Sequence, residues 1–175
     1  MLSYPDFCER LAQVQSRIAA ACRLAGREPA SVSLLPVTKY HPVGVVDYVT
    51  RSGLPAVGEN RVQEVSDKQA HFEGVVRWEL IGHLQSNKAN TAARLFDRIQ
   101  SVDSRKLIAR LNRAAEAQEK VLPILLQCNV AREQQKTGLL AEALPEAMEQ
   151  ALTAKYLEVD GLMTIAPIED GSGCA

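Results

Sequence analysis

Six short apolar runs, each closed by a polar residue and most followed by a stretch with helical spacing, constrain this chain more than any other feature of it. The runs cover residues 34–38, 54–58, 78–81, 98–102, 122–130 and 159–165, and their length and β-branched content mark them as buried strands. Between them, apolar residues return every three or four positions. An opening helix over 5–25 carries Phe7, Leu11, Val14, Ile18 and Cys22 on one face, with Pro5 in its first turn and Gly26 to stop it. Val45, Val46 and Val49 follow Pro42. Val62, Val65 and Gln69 follow Asn60, a residue type that can cap a helix. Ala92, Ala93 and Phe96 form the next short helix; Leu107, Ile108, Leu111 and Ala115 then lie behind the caps Asp103 and Ser104. After a polar loop over 131–138, a last helix runs from Pro145 to about residue 152.

Strands joined through helices pair in parallel with right-handed crossovers. The polar residues at the strand ends, Lys39, Asn60, His83, Ser101, Asn129 and Thr164, then collect at one mouth, as in a (β/α)8 TIM barrel. An open doubly wound sheet would place a G-x-G-x-x-G turn after its first strand, and none is present. The expected class is therefore α/β, a barrel with an extra N-terminal helix. It is expected to be incomplete, with about six βα units where eight close the ring. Residues 1–175 read as a single domain truncated before its last two βα units, leaving two strand edges for another segment or subunit to cover. A loop-like tail over 166–175 ends it; Gly171-Ser172-Gly173 there is either an anion-wrapping turn or a mobile terminus.

Composition sets bounds on function. With 46% hydrophobic residues in 175, the chain can bury one sizeable core, and a net charge of -1 gives it no global attraction to nucleic acid or to an anionic membrane. Cys8, Cys22, Cys128 and Cys174 lack C-x-x-C spacing and histidine partners, which argues against a metal site and for reduced thiols in the cytoplasm. Asp6, Glu9 and Arg10 stand where a signal peptide needs apolar residues, and no apolar run approaches a membrane span. The expected protein is soluble and cytoplasmic, a monomer or weak homodimer.

The first run, S-L-L-P-V-T-K-Y-H-P over 33–42, carries the most chemistry. It places Lys39 at the end of a core strand. Partial removal from water and any cationic neighbour favour a neutral amine, the nucleophile that captures aldehydes as Schiff bases. The plain alternative is a lysine whose stem follows the strand end while its charge stays in water.

Five blocks resolve that choice: L-L-P-V-T-K-Y-H-P over 34–42, G-E-N-R-V-Q-E over 58–64, W-E-L-I-G-H-L-Q-S-N-K over 78–88, N-V-x-x-E-x-x-K-T-G over 129–138 and G-L-M-T-I-A-P over 161–167. In order and spacing they resemble the pyridoxal phosphate homeostasis proteins, the YggS/PROSC family, which is similar to the N-terminal barrel domain of alanine racemase. The resemblance implies a (β/α)8 barrel, a pyridoxal 5'-phosphate (PLP) cofactor and an aldimine between PLP and Lys39. It makes Asn60 a cofactor-pocket residue, against its alternative as a helix cap. His83 lines the pocket or is satisfied within the core, and Met163 packs on the ring or fills core. Asn87, Lys88, Asn129 and Lys136 fall in matching blocks without an individual role.

The resemblance also implies a departure, because the serine-glycine and arginine-glycine segments that hold the PLP phosphate in full-length relatives do not occur before Ala175. The expected function is a protein that holds and delivers PLP in vitamin B6 and amino-acid homeostasis without turnover. One alternative is a PLP-dependent racemase-like enzyme, which needs a second domain and a tyrosine base; Tyr40 would point away from Lys39 if the strand continued. The other is a PLP-independent Schiff-base lyase.

Overall fold

The computed structural model describes residues 2–133 and 135–166. Its centre is a five-stranded parallel sheet of β1 (Ala56–Glu59), β2 (Arg77–Leu80), β3 (Arg98–Val102), β4 (Leu122–Cys128) and β5 (Leu157–Thr164), with strands neighbouring one another in sequence order. Helices α1 (Tyr4–Leu24), α2 (Gly44–Arg51), α3 (Val62–Gln69), α4 (Ala89–Leu95), α5 (Arg105–Glu116) and α6 (Leu144–Leu152) provide the opening element and the crossovers. Every strand pair is parallel, as the alternation requires.

Two of the helices, α1 and α5, begin on a side-chain cap. Ser3 caps α1 through a reciprocal pair with Asp6, and Ser104 accepts the Leu107 N–H at the start of α5. Asn60 does not cap α3: Arg61 occupies that position, with no side-chain bond to the helix. The core lies between the helices and one face of the sheet, where Val57, Leu80, Ile99, Ile124 and Leu126 meet Val46, Val65, Phe96, Ile108 and Leu111. Cys22 is buried on α1, but Val14 from the same predicted stripe is 37% exposed, so this helix covers the sheet only in part.

The expected first strand is reduced to one parallel bridge, Val37 with Gly58. Gly58 donates to Pro36 O at 2.8 Å and Thr38 donates to Gly58 O at 3.0 Å. Pro36 has no N–H to extend the ladder, and the chain turns at Lys39 and Tyr40, which leaves room for a single pair. The tail expected over 166–175 lies, from residue 167 onward, outside the described residues, and Cys174 and Gly171-Ser172-Gly173 lie there too. Among the described residues Cys8, Cys22 and Cys128 are free thiols. No helix among them is long and apolar enough to cross a membrane.

Candidate functional site

The C-terminal ends of the strands carry the candidate site. Lys39 follows the bridge, Asn60 follows β1 and His83 follows β2. Lys39 is half-buried, and among the described residues its Nζ has neither a carboxylate partner nor a hydrogen bond. Tyr40 departs from the strand-based expectation. With φ of 63° it adopts a left-handed conformation, which reverses the chain and brings its ring to 5.9 Å from Lys39 Nζ instead of to the opposite face. The Arg61 guanidinium lies 5.7 Å from the same ring.

Asn60 sits one strand from Lys39 and is half-buried. Gly82, two residues past β2, packs against it so closely that an added Cβ would lie 2.8 Å from the Asn60 Cα. No side chain fits between the two strand ends, and the Asn60 amide makes no hydrogen bond among the described residues. Below it, a Cβ on Gly58 would lie 3.3 Å from both Leu35 Cδ2 and Ile81 Cδ1, and Glu79 stands in register with Gly58 on the next strand.

Behind Lys39, towards α3, is a buried polar cluster that the sequence reading missed. Glu59 is fully buried, and its Oε1 accepts from Thr38 Oγ1 and from Lys68 Nζ, both at 2.6 Å. Its second oxygen has no partner among the described residues. Lys68 also donates to the Thr38 carbonyl at 2.8 Å and pairs with Glu64 at 3.0 Å, while Glu64 accepts the Tyr40 N–H at 2.6 Å. Burial pushes the Glu64 carboxyl up, but the bonds from Lys68 and Tyr40, with the Lys68 and Arg61 charges, outweigh it and hold the group below its ordinary range. One signal was legible: Glu64 and Lys68 are four apart on a helix.

The other expected residues lie farther along the sheet. His83 is half-exposed, with Nδ1 2.9 Å from Asp103 Oδ2, so Asp103 serves this ring while Ser104 alone caps α5. Met163 is on β5, at the opposite edge from Lys39, in register with Gln127. It lines an apolar cavity of about 260 Å³ with Leu139, Leu144 and Leu162. The structure thus sets Lys39 and Asn60 just past paired backbone segments, and places His83 two strands and Met163 five strands from the Lys39 segment. Asn129 organises its own loop, bonding to Glu133 and Lys136 backbone oxygens, and Lys136 reaches Glu133 and the Ala166 carbonyl. Asn87 and Lys88 are exposed.

The family model described as alanine racemase, N-terminal domain, matches residues 10–174. A pyridoxal phosphate homeostasis protein of Pseudomonas aeruginosa is 39% identical over 158 residues, which is 90% of this chain and 69% of that protein. Among solved structures, a protein of unknown function from Bifidobacterium adolescentis superposes with a TM-score of 0.89 at 30% identity, covering 97% of this chain and 74% of that one. PipY of Synechococcus elongatus, solved with PLP bound, superposes with a TM-score of 0.74 at 35% identity, covering 87% and 72% respectively.

Proposed function

This chain belongs to the alanine racemase N-terminal domain family, within its pyridoxal phosphate homeostasis proteins, and from that premise we propose that it binds PLP as an aldimine on Lys39 and holds it without turnover. The observation that supports the reading is the Lys39 amine, unpaired among the described residues, on a fixed turn one strand from the Asn60 amide, at strand ends where Leu35, Gly58 and Ile81 pack together. These groups fit an aromatic aldehyde with polar ring substituents. When bound, PLP would supply an aldehyde that the Lys39 amine could capture with loss of water and release again on attack by water or another amine.

In this reading Lys39 supplies the amine and Asn60 orients the ring through hydrogen bonds. His83, steered by Asp103, offers its other ring nitrogen at the mouth, and Met163 contributes apolar surface from the far edge. The domain works as one PLP-binding barrel unit, cytoplasmic, as a monomer or weak homodimer, with no nucleic-acid or membrane partner. Its role is to store and release PLP for vitamin B6 and amino-acid homeostasis.

The test is a spectrophotometric titration with PLP. The wild-type chain is expected to develop the visible band of a lysine-bound aldehyde, Lys39→Ala to lack it, and amino acids incubated with the loaded protein to racemise or transaminate at the buffer rate. A band that survives Lys39→Ala contradicts the assignment of the amine. Turnover that depends on Lys39 makes the protein an enzyme.

A further inference from the structure

A bulky, exposed residue in the left-handed region is strained unless its surroundings impose the conformation, and Tyr40 is such a residue beside Lys39. The chain on both sides of Lys39 is tied to one ammonium group. Before it, the Thr38 carbonyl accepts from Lys68 Nζ directly. After it, the Tyr40 N–H donates to Glu64, which Lys68 holds at 3.0 Å. The turn closes on itself where His41 N–H donates to the same Thr38 carbonyl at 3.1 Å.

Three acceptors, the Thr38 carbonyl, Glu59 and Glu64, surround the Lys68 ammonium, so that group is itself fixed. Glu59 and Lys68 anchor α3 to β1, which is a stabilising role. Glu64 differs: its side chain is 20% exposed, and the same Oε1 that faces Lys68 also accepts from the backbone of the turn. A network built only for stability would not need to reach the Tyr40 N–H.

We infer that Glu64, held by Lys68, is a positioning residue that latches the Tyr40 backbone in its left-handed conformation and thereby fixes where the Lys39 amine stands. The inference rests on the role proposed for Lys39. Glycine adopts the left-handed region without help, so a glycine at position 40 makes the latch dispensable.

The experiment compares Glu64→Ala, Glu64→Gln and the double variant Glu64→Ala/Tyr40→Gly by two readouts. In the PLP-free protein, exchange of the Tyr40 amide hydrogen is followed by NMR; with PLP, affinity is taken from the visible band. Glu64→Ala is expected to lose at least about tenfold of the Tyr40 amide protection and to bind PLP about tenfold more weakly. Glu64→Gln, which keeps an acceptor oxygen, is expected to stay closer to wild type on both. The double variant is expected to return PLP affinity to within about threefold of wild type. Unchanged affinity in Glu64→Ala overturns the inference, as does a double variant that binds no better than Glu64→Ala. A wild-type protein with no Lys39-dependent band would defeat the proposed function instead, and the amide-exchange comparison would still decide whether the latch exists.

Discussion

The two ends of the parallel strands handle charge in opposite ways. Towards the N-terminal end, the inner face carries Glu79, Arg98, Gln100 and Asp160, and each answers another. Arg98 grips both Glu79 oxygens at 2.8 to 3.0 Å and reaches Asp160 at 3.2 Å, and Gln100 donates to Glu79 at 2.6 Å. Glu79, Arg98 and Gln100 border a cavity of about 750 Å³ into which α1 brings Ile18 and Ala19. At the C-terminal end the Lys39 amine and the Asn60 amide have no such partners among the described residues, while the backbone that carries Lys39 is pinned by Lys68 and Glu64. Polar groups that satisfy one another lock a structure. Polar groups held rigidly and left unsatisfied are available to a ligand.

Breaking the N-terminal network should give the largest loss of stability. Arg98→Met leaves the Glu79 carboxylate, 2% exposed, without its cation, and is expected to lower the unfolding free energy by about 3 kcal/mol in urea titrations. PLP affinity should stay within about twofold; a collapse of binding in a protein that remains folded would erase the division between the two ends. Gly82→Ala comes next, because its Cβ collides with the Asn60 backbone. It should cost about 1 to 3 kcal/mol and weaken PLP binding as well, and normal binding would remove Asn60 from the site.

Smaller effects sharpen the contrast. Ser104→Ala removes the cap of α5 at a cost of about 1 kcal/mol, with PLP binding unchanged. The smallest effect is the acid response of Glu64. Its folded carboxyl is held below the ordinary value of 4.5, so its contribution is present above that value and fades as pH falls through the lower folded one. Urea midpoints from about pH 6 down to about pH 3 should therefore fall less steeply in Glu64→Gln than in wild type. Equal slopes would mean that the Lys68 and Tyr40 bonds do not favour the charged form.

The layered architecture was legible because strand and helix signals alternate without ambiguity. Residues 98–102 were bounded correctly at both ends, since Asp97 and the pair Asp103-Ser104 flank an uninterrupted run. The site was legible only in part. Lys39 at a strand end could be read from the abrupt change after Thr38, but Pro36 and the turn cut that strand to one bridge. The side of Tyr40 was not legible, because it follows from strand alternation only if the strand continues, and the chain turns with positive φ there instead. Residue type alone favours a cap for Asp103 and leaves Asn60 between a cap and a pocket residue, yet Arg61 stands at the start of α3 and Asp103 turns to His83. Lys68 reads as a solvated lysine in V-Q-E-V-S-D-K-Q; only the packing of α3 on β1 brings it to the buried Glu59.

The most direct test of the account is to fix the bound cofactor chemically and find where it went. Borohydride reduction of the PLP-loaded protein, followed by peptide mapping, is expected to place a phosphopyridoxyl group on Lys39 in the peptide V-T-K-Y-H-P. The label on another lysine, such as Lys136 or Lys88, with Lys39 unmodified would contradict it.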